Sequence, residues 1–90
     1  MTNVSKVLVI LRAAAHLQKL QIALKGEALW GFSDIQEFLP FSKATTQKTL
    51  KVMRDRKIVQ FVEVPYKNTI AFRYRVSDAV RAEWLGEELF

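Results

Sequence analysis

The sequence contains no cysteine, and only three glycines and two prolines among its 90 residues. The absence of cysteine excludes disulfide frameworks, thiolate metal sites and thiol nucleophiles, and it is compatible with the reducing cytoplasm. A glycine-rich phosphate loop is missing, and the single histidine, His16, has no second histidine or cysteine with which to hold a metal. We therefore expect no metal, no cofactor and no enzymatic activity.

A long uninterrupted apolar run is also missing. Residues 7–11 are apolar, but Arg12 ends the run and no signal-peptide cleavage pattern follows it. The run is too short to span a bilayer. We expect a cytoplasmic protein without membrane association. The length and the 50% hydrophobic content predict a single domain over residues 1–90, because no linker or repeat divides the chain.

Acidic residues are scarce in the middle of the chain. Residues 42–75 carry nine basic and two acidic side chains, whereas residues 76–90 carry one basic and four acidic ones. The whole chain has a net charge of +5. A basic middle segment indicates one face for a polyanion. The alternative is a lysine-rich surface that only faces solvent.

The pattern of apolar and capping residues predicts an α+β chain. Residues 5–25 read as a long helix with two apolar stripes, which indicates burial on both sides, within the core or in a dimer. Residues 27–32 form a connector with one short strand. Ser33, with Gln36 three residues later, is the expected cap of a helix over residues 34–39 that Pro40 ends.

The second half predicts a helix, a hairpin and a last helix. Ser42 caps a helix over residues 42–56, whose core stripe holds Thr46, Thr49, Leu50 and Met53. Residues 58–64 and 70–76 are β-branched and apolar, and about five residues separate them, which predicts a hairpin with one apolar and one cationic face. Ser77 caps a final helix over residues 78–89.

Residues 33–59 resemble the winged helix-turn-helix superfamily, and most closely the MarR-type bacterial repressors. Ser42-Lys43-Ala44-Thr45 is similar to the start of their recognition helix, and Phe72-Arg73-Tyr74-Arg75-Val76 to their second wing strand. The resemblance covers roughly residues 30–84. It implies a winged helix with a three-helix core, a hairpin wing and an additional C-terminal helix. Lys57 departs from the pattern, because a glycine commonly ends the recognition helix there.

The resemblance implies sequence-specific binding of double-stranded DNA by a transcriptional regulator, a repressor in preference to an activator. Helix 42–56 would enter the major groove and hairpin 59–76 would act as the wing. Lysine and arginine contact phosphates or bases, glutamine pairs with adenine, and alanine touches a thymine methyl group. The expected DNA-binding residues are Ser42, Lys43, Ala44, Thr45, Gln47, Lys48, Lys51, Lys67, Arg73 and Arg75.

A homodimer on a palindromic site is expected, formed through the N-terminal helix, with the C-terminal helix as a further contributor through Trp84, Leu85 and Phe90. The alternative function is a winged-helix protein–protein interaction module in a nucleic-acid-related complex, with the basic face on an acidic partner. RNA binding is a third reading, disfavoured because no surface aromatic pair for base stacking is evident.

Overall fold

The computed structural model describes residues 4–86. In this part of the chain four helices and one hairpin follow in the order α1 (Val4–Lys25), α2 (Phe32–Gln36), α3 (Lys43–Asp55), β1 (Gln60–Tyr66), β2 (Thr69–Arg75) and α4 (Asp78–Leu85). The α+β class is as predicted, and this order is compatible with a winged helix. The last helix is shorter than the predicted range of residues 78–89, because it ends at Leu85 with Gly86 as a C-cap at a φ of 65°. Phe90 lies outside the described residues.

The central helix α1 buries one side, which takes in part of each apolar stripe and the residues between them. Val7, Leu11, Ala14 and Leu17 are buried on that side, together with residues of the other elements. The ends of both stripes stay exposed, so the expected burial on two sides does not occur within the chain. These exposed residues are Val4, Leu20, Ile22 and Leu24.

Gln18 is a polar side chain at the centre of this core. Its Oε1 accepts hydrogen bonds from Trp30 Nε1 at 3.1 Å and from the backbone N–H of Val76 at 2.7 Å. Its Nε2 donates to the carbonyl of Val76 at 3.1 Å. A buried amide is tolerated when its polar atoms are paired, so Gln18 joins α1 to the connector and to the end of β2.

Helix α2 begins at Phe32 with Gly31 as its N-cap, so the predicted cap at Ser33 is wrong. The backbone N–H of Gly31 donates to Asp34 Oδ2 at 2.8 Å, which is the contact that a capping box makes from its third helical residue. The start is set by Trp30, whose backbone forms an antiparallel bridge with Tyr74. The bridge is isolated, so the connector contains one bridging residue and not the short strand that the sequence predicts.

Helix α3 begins as predicted, because the Ser42 side chain accepts a hydrogen bond from the backbone N–H of Thr45 at 3.2 Å. Its core stripe is also confirmed, with Thr46, Thr49, Leu50 and Met53 all buried. The buried threonine hydroxyls donate to carbonyls four residues earlier, so they are not left unpaired in the core.

The strands of the hairpin have the predicted length of seven residues each, but they lie closer to the turn, and the loop is shorter than the sequence predicts. Pairing continues to Tyr66 and Thr69, which leaves Lys67 and Asn68 as the loop. Lys67 has a φ of 56°, as tight hairpin turns require at their first central residue. Directly paired residues share a face of the sheet. Phe61, Phe72 and Tyr74 therefore lie on one face, and Arg73 and Arg75 lie on the other.

Helix α4 begins at the predicted cap Ser77, whose hydroxyl accepts from the N–H of Val80 at 3.2 Å. Val80, Trp84 and Leu85 pack against the core of the same chain. The radius of gyration, 12.8 Å, agrees with the value of about 13 Å for a compact domain of similar length.

By length and composition alone α1 could cross a membrane, since its most apolar window has a mean hydropathy of 1.4. In the structure 44% of that window is buried against other elements. The compact packing suggests a soluble protein, and the absence of membrane association stays a prediction.

Candidate nucleic-acid interface

The outward side of α3 is open to solvent along its whole length. The spacing of its polar residues puts them on the side opposite the buried Leu50 and Met53. Thr45 is half-buried at the edge of this side. The other predicted DNA-binding residues of this segment are exposed, and they are Ser42, Lys43, Ala44, Gln47, Lys48 and Lys51. We call these seven residues the α3 face.

Ser42 and Thr45 already bond to each other. The Ser42 hydroxyl donates to Thr45 Oγ1 at 3.1 Å while it accepts from the Thr45 N–H. Their first role is therefore to begin the helix. A hydroxyl oxygen has two lone pairs and one proton, so a further contact to a phosphate is compatible with the cap.

The three hairpin cations lie apart from the α3 face. Arg73 and Arg75 project from the sheet face opposite Phe72 and Tyr74, and the latter two face α3. Arg75 is exposed and lines a recess with Ile22 and Asp78, near the C-terminal end of α1. The ten predicted residues therefore do not form one surface.

Arg73 has a partner in the protein itself. Its Nη1 lies 3.1 Å from Asp34 Oδ2, and both side chains are only about a third exposed, at 36% and 37%. A Cβ on Gly31 would lie 3.0 Å from the same nitrogen, so the guanidinium sits closely over the start of α2. Lys67 lies at the hairpin loop, with its Nζ 5.4 Å from the ring centre of Tyr66.

A groove of about 360 Å³ separates α3 from the hairpin. Its floor and walls are formed by Phe32, Gln47, Leu50, Lys51, Arg54, Phe72 and Tyr74. Phe72 is 45% exposed although the alternation of β2 predicts an apolar, core-facing position. The groove thus combines aromatic side chains with an amide and two cations.

Arg54 and the exposed aromatics were missed as site residues. Arg54 lies at the C-terminal end of its helix, where cations are favoured without any ligand, so its position carried no functional signal. In the structure its guanidinium carbon lies 4.9 Å from the ring centre of Phe61. Only the packing of α3 against the hairpin brings the two together.

The expectation that no surface aromatic pair exists is wrong. Phe61 and Phe72 lie edge to face with their ring centres 5.8 Å apart, and they are 39% and 45% exposed. They are not sequence neighbours, but they share a face of the hairpin. Strand alternation could have placed them on the same face, whereas their exposure depends on what the rest of the fold leaves uncovered.

Within residues 4–86, His, Asp and Glu side chains form no group of three that would hold a metal ion. Comparison of the chain with protein-family models, with curated proteins and with solved structures finds no match.

Proposed function

We propose that this chain is a winged helix-turn-helix domain that binds double-stranded DNA in a sequence-specific manner and regulates transcription in the cytoplasm, as a repressor in preference to an activator. The observation that carries the proposal is the α3 face, a solvent-exposed helix side with lysines, an amide and small side chains. A helix that reads the major groove needs this combination of an open, polar and cationic side.

Each residue type of the α3 face has a chemical part in this binding. Lys48 and Lys51 neutralise phosphates, and Gln47 offers a donor and an acceptor to the edge of adenine. Ala44 contacts a thymine methyl group. Asp55 is the acidic residue on the same side, one turn beyond Lys51, so we place the phosphates nearer the N-terminal half of α3.

The hairpin plays a smaller part than its cations predict. Lys67 at the loop and Arg75 at the base of the hairpin are exposed and able to reach a phosphate. Arg73 forms an ion pair with Asp34, so we propose that its main role is to hold β2 against α2 and that contact with DNA is secondary. The wing then orients the domain, and α3 supplies the specificity.

A homodimer fits the apolar residues that stay exposed on α1. Leu20 and Leu24 lie one turn apart and are 40% and 79% exposed. His16, a further turn back, makes an edge contact with the exposed ring of Phe38 at 5.7 Å. We propose that a second copy covers this face, which would present two α3 faces to two half-sites.

The experiment is a selection from random duplexes followed by binding curves of the recovered sequence. Lys48→Glu with Lys51→Glu should abolish binding, whereas the matched reversal Arg12→Glu with Lys19→Glu, on exposed positions of α1, should weaken it only modestly. Both variants change the net charge equally. An absence of enriched sequences together with an absence of duplex binding at low salt overturns the proposal.

A second candidate function is a protein–protein interaction module that uses the groove. Exposed Phe72 beside Lys51 and Arg54 is suited to an acidic segment that carries an apolar side chain. In that case the reversal at Lys48 and Lys51 would abolish binding of an acidic protein partner while no duplex binding is found in either form.

A further inference from the structure

The groove between α3 and the hairpin offers three kinds of surface side by side. Phe72 and Tyr74 supply ring faces, Gln47 supplies an amide, and Lys51 and Arg54 supply positive charge. The volume of about 360 Å³ lies within the range of about 300–1,000 Å³ that is usual for sites of small organic groups. This combination matches the parts of a nucleotide, which has a flat ring system, polar ring edges and a phosphate.

We propose that the groove binds one unpaired nucleobase of a DNA strand, with its flat face on Phe72 and its phosphate beside Lys51 and Arg54. The inference rests on the proposed function for its starting point, because Gln47 and Lys51 belong both to the groove and to the α3 face. A strand that leaves a duplex bound on α3 therefore meets the groove directly. The protein then binds a duplex with a single-stranded overhang more tightly than it binds a blunt duplex.

The charges around the groove fix the orientation of the nucleotide. On the hairpin side, Glu63 is the register partner of Phe72 and shares its face, so it repels a phosphate. On the helix side, Lys51 and Arg54 attract one. The phosphate accordingly lies towards α3, and the base lies towards β2.

The Arg54–Phe61 contact favours a base over an acidic peptide. The guanidinium lies over the ring of Phe61 at 4.9 Å, and Phe61 in turn contacts the ring of Phe72 at 5.8 Å. Aromatic rings and guanidinium planes are the groups on which unstacked bases stack. The ring of Phe72, which is 45% exposed, therefore suits the flat face of an unpaired base.

The test compares a blunt duplex with the same duplex carrying a short single-stranded overhang, in two versions of opposite strand polarity. 2-Aminopurine at the first unpaired position reports stacking through quenching of its fluorescence. The variants are Phe72→Ala, which removes the ring, and Phe72→Trp, which keeps a stacking surface. Tyr66→Ala is the matched control, because Tyr66 is an exposed aromatic on the opposite face of the hairpin. Circular dichroism melting shows that each variant folds.

We expect one overhang polarity to bind about tenfold more tightly than blunt duplex and to quench 2-aminopurine. Phe72→Ala should remove both the preference and the quenching while blunt duplex binding stays unchanged, and Phe72→Trp and Tyr66→Ala should keep both. Equal affinity for blunt and overhang duplex, without quenching, overturns this inference and leaves the proposed function intact.

Two further outcomes separate this inference from the proposed function. If single strands bind in a way that depends on Phe72 and quench 2-aminopurine, while no duplex binds, the base site is upheld. The duplex proposal is then overturned. Binding of a synthetic peptide with one phenylalanine between glutamates, together with no binding of any nucleic acid, overturns both.

Discussion

The guanidinium of Arg73 and the carboxylate of Asp34 form an ion pair at 3.1 Å, and Asp34 also accepts the N–H of Gly31 through the same oxygen. One carboxylate therefore fixes the start of α2 and holds β2 beside it, although the residues are 39 positions apart in sequence. The pair joins the first helix of the proposed helix-turn-helix to the proposed wing. It also occupies a side chain that the sequence assigns to DNA.

Removal of Asp34 should therefore cost stability in two ways. Asp34→Ala loses the hydrogen bond to the Gly31 N–H, which is worth about 1 kcal/mol, and the partly exposed ion pair, which is worth about 0.2–1 kcal/mol. Urea denaturation of Asp34→Ala, Arg73→Ala and the double variant measures both. A coupling energy of zero between the two substitutions would show that the ion pair contributes nothing in solution.

Gln18 should be far less replaceable than Gln21, which lies on the same buried side of α1. Gln18→Leu leaves the Trp30 Nε1–H and the Val76 N–H without their acceptor, so we expect a loss of about 2–4 kcal/mol. Gln21 Oε1 is buried without a hydrogen-bond partner in the described part of the chain, so Gln21→Leu should be close to neutral. Thermal melting of both variants tests this difference, and equal losses of stability would contradict the role given to Gln18.

Lys57 is a position where glycine should stabilise the protein. It has a φ of 60°, and the N–H of Ile58 bonds to the carbonyl of Met53 at 2.8 Å, as at a glycine-ended helix. A residue with a side chain pays about 1–2 kcal/mol for this conformation, so Lys57→Gly should raise the free energy of unfolding by about 1 kcal/mol.

Arg56→Gly is the control for this substitution, since Arg56 has a φ of −92° and gains nothing from glycine. We expect it to lower stability by about 0.5–1 kcal/mol. A destabilising effect of both glycines in chemical denaturation would mean that the left-handed conformation at Lys57 is not strained.

Binding of duplex DNA should depend on salt through the α3 face. Removal of one phosphate contact by Lys48→Ala should reduce the slope of log affinity against log salt by about 1 and weaken binding at low salt. Arg12→Ala, an exposed cation on α1, should leave the slope unchanged. Anisotropy titrations across a salt series measure the slope. Identical slopes for the Lys48 variant and the unmodified protein would remove Lys48 from the interface.

The oligomeric state should respond to the exposed end of α1. Leu24 is 79% exposed, so Leu24→Glu should not disturb folding but should convert the proposed dimer to a monomer. Ile22→Glu is the control, because Ile22 is 54% exposed on a different side of the helix. Sedimentation equilibrium of the three proteins gives their masses, and a monomeric unmodified protein at high concentration would contradict the dimer.

Local chemistry explains why much of the fold was predictable. Ser42 and Ser77 cap helices through hydrogen bonds to N–H groups three residues on, and this contact depends only on neighbouring residues. The core side of α3 follows from helical periodicity in the same way. The predicted cap at Ser33 was wrong. A local capping pattern is present there, but the helix begins earlier, directly after the bridge from Trp30 to Tyr74.

The same distinction between local and long-range contacts applies to the candidate site. The residues of the α3 face could be assigned to one open side, because the helical repeat fixes that side once the buried stripe is known. The pairing of Arg73 with Asp34 and the stacking of Arg54 on Phe61 could not be assigned. Each joins residues from different elements, and nothing in either local sequence requires the other partner.

The amino-acid sequence by itself determined which segments form helices and strands, where α3 and α4 begin, and which side of α3 is polar, since these depend on contacts within about four residues. Tertiary structure decided the start of α2, the central place of Gln18, the partner of Arg73 and the groove beside Phe72. Those features depend on which distant surfaces the packed elements cover and which they leave open, and only the folded chain brings these surfaces together.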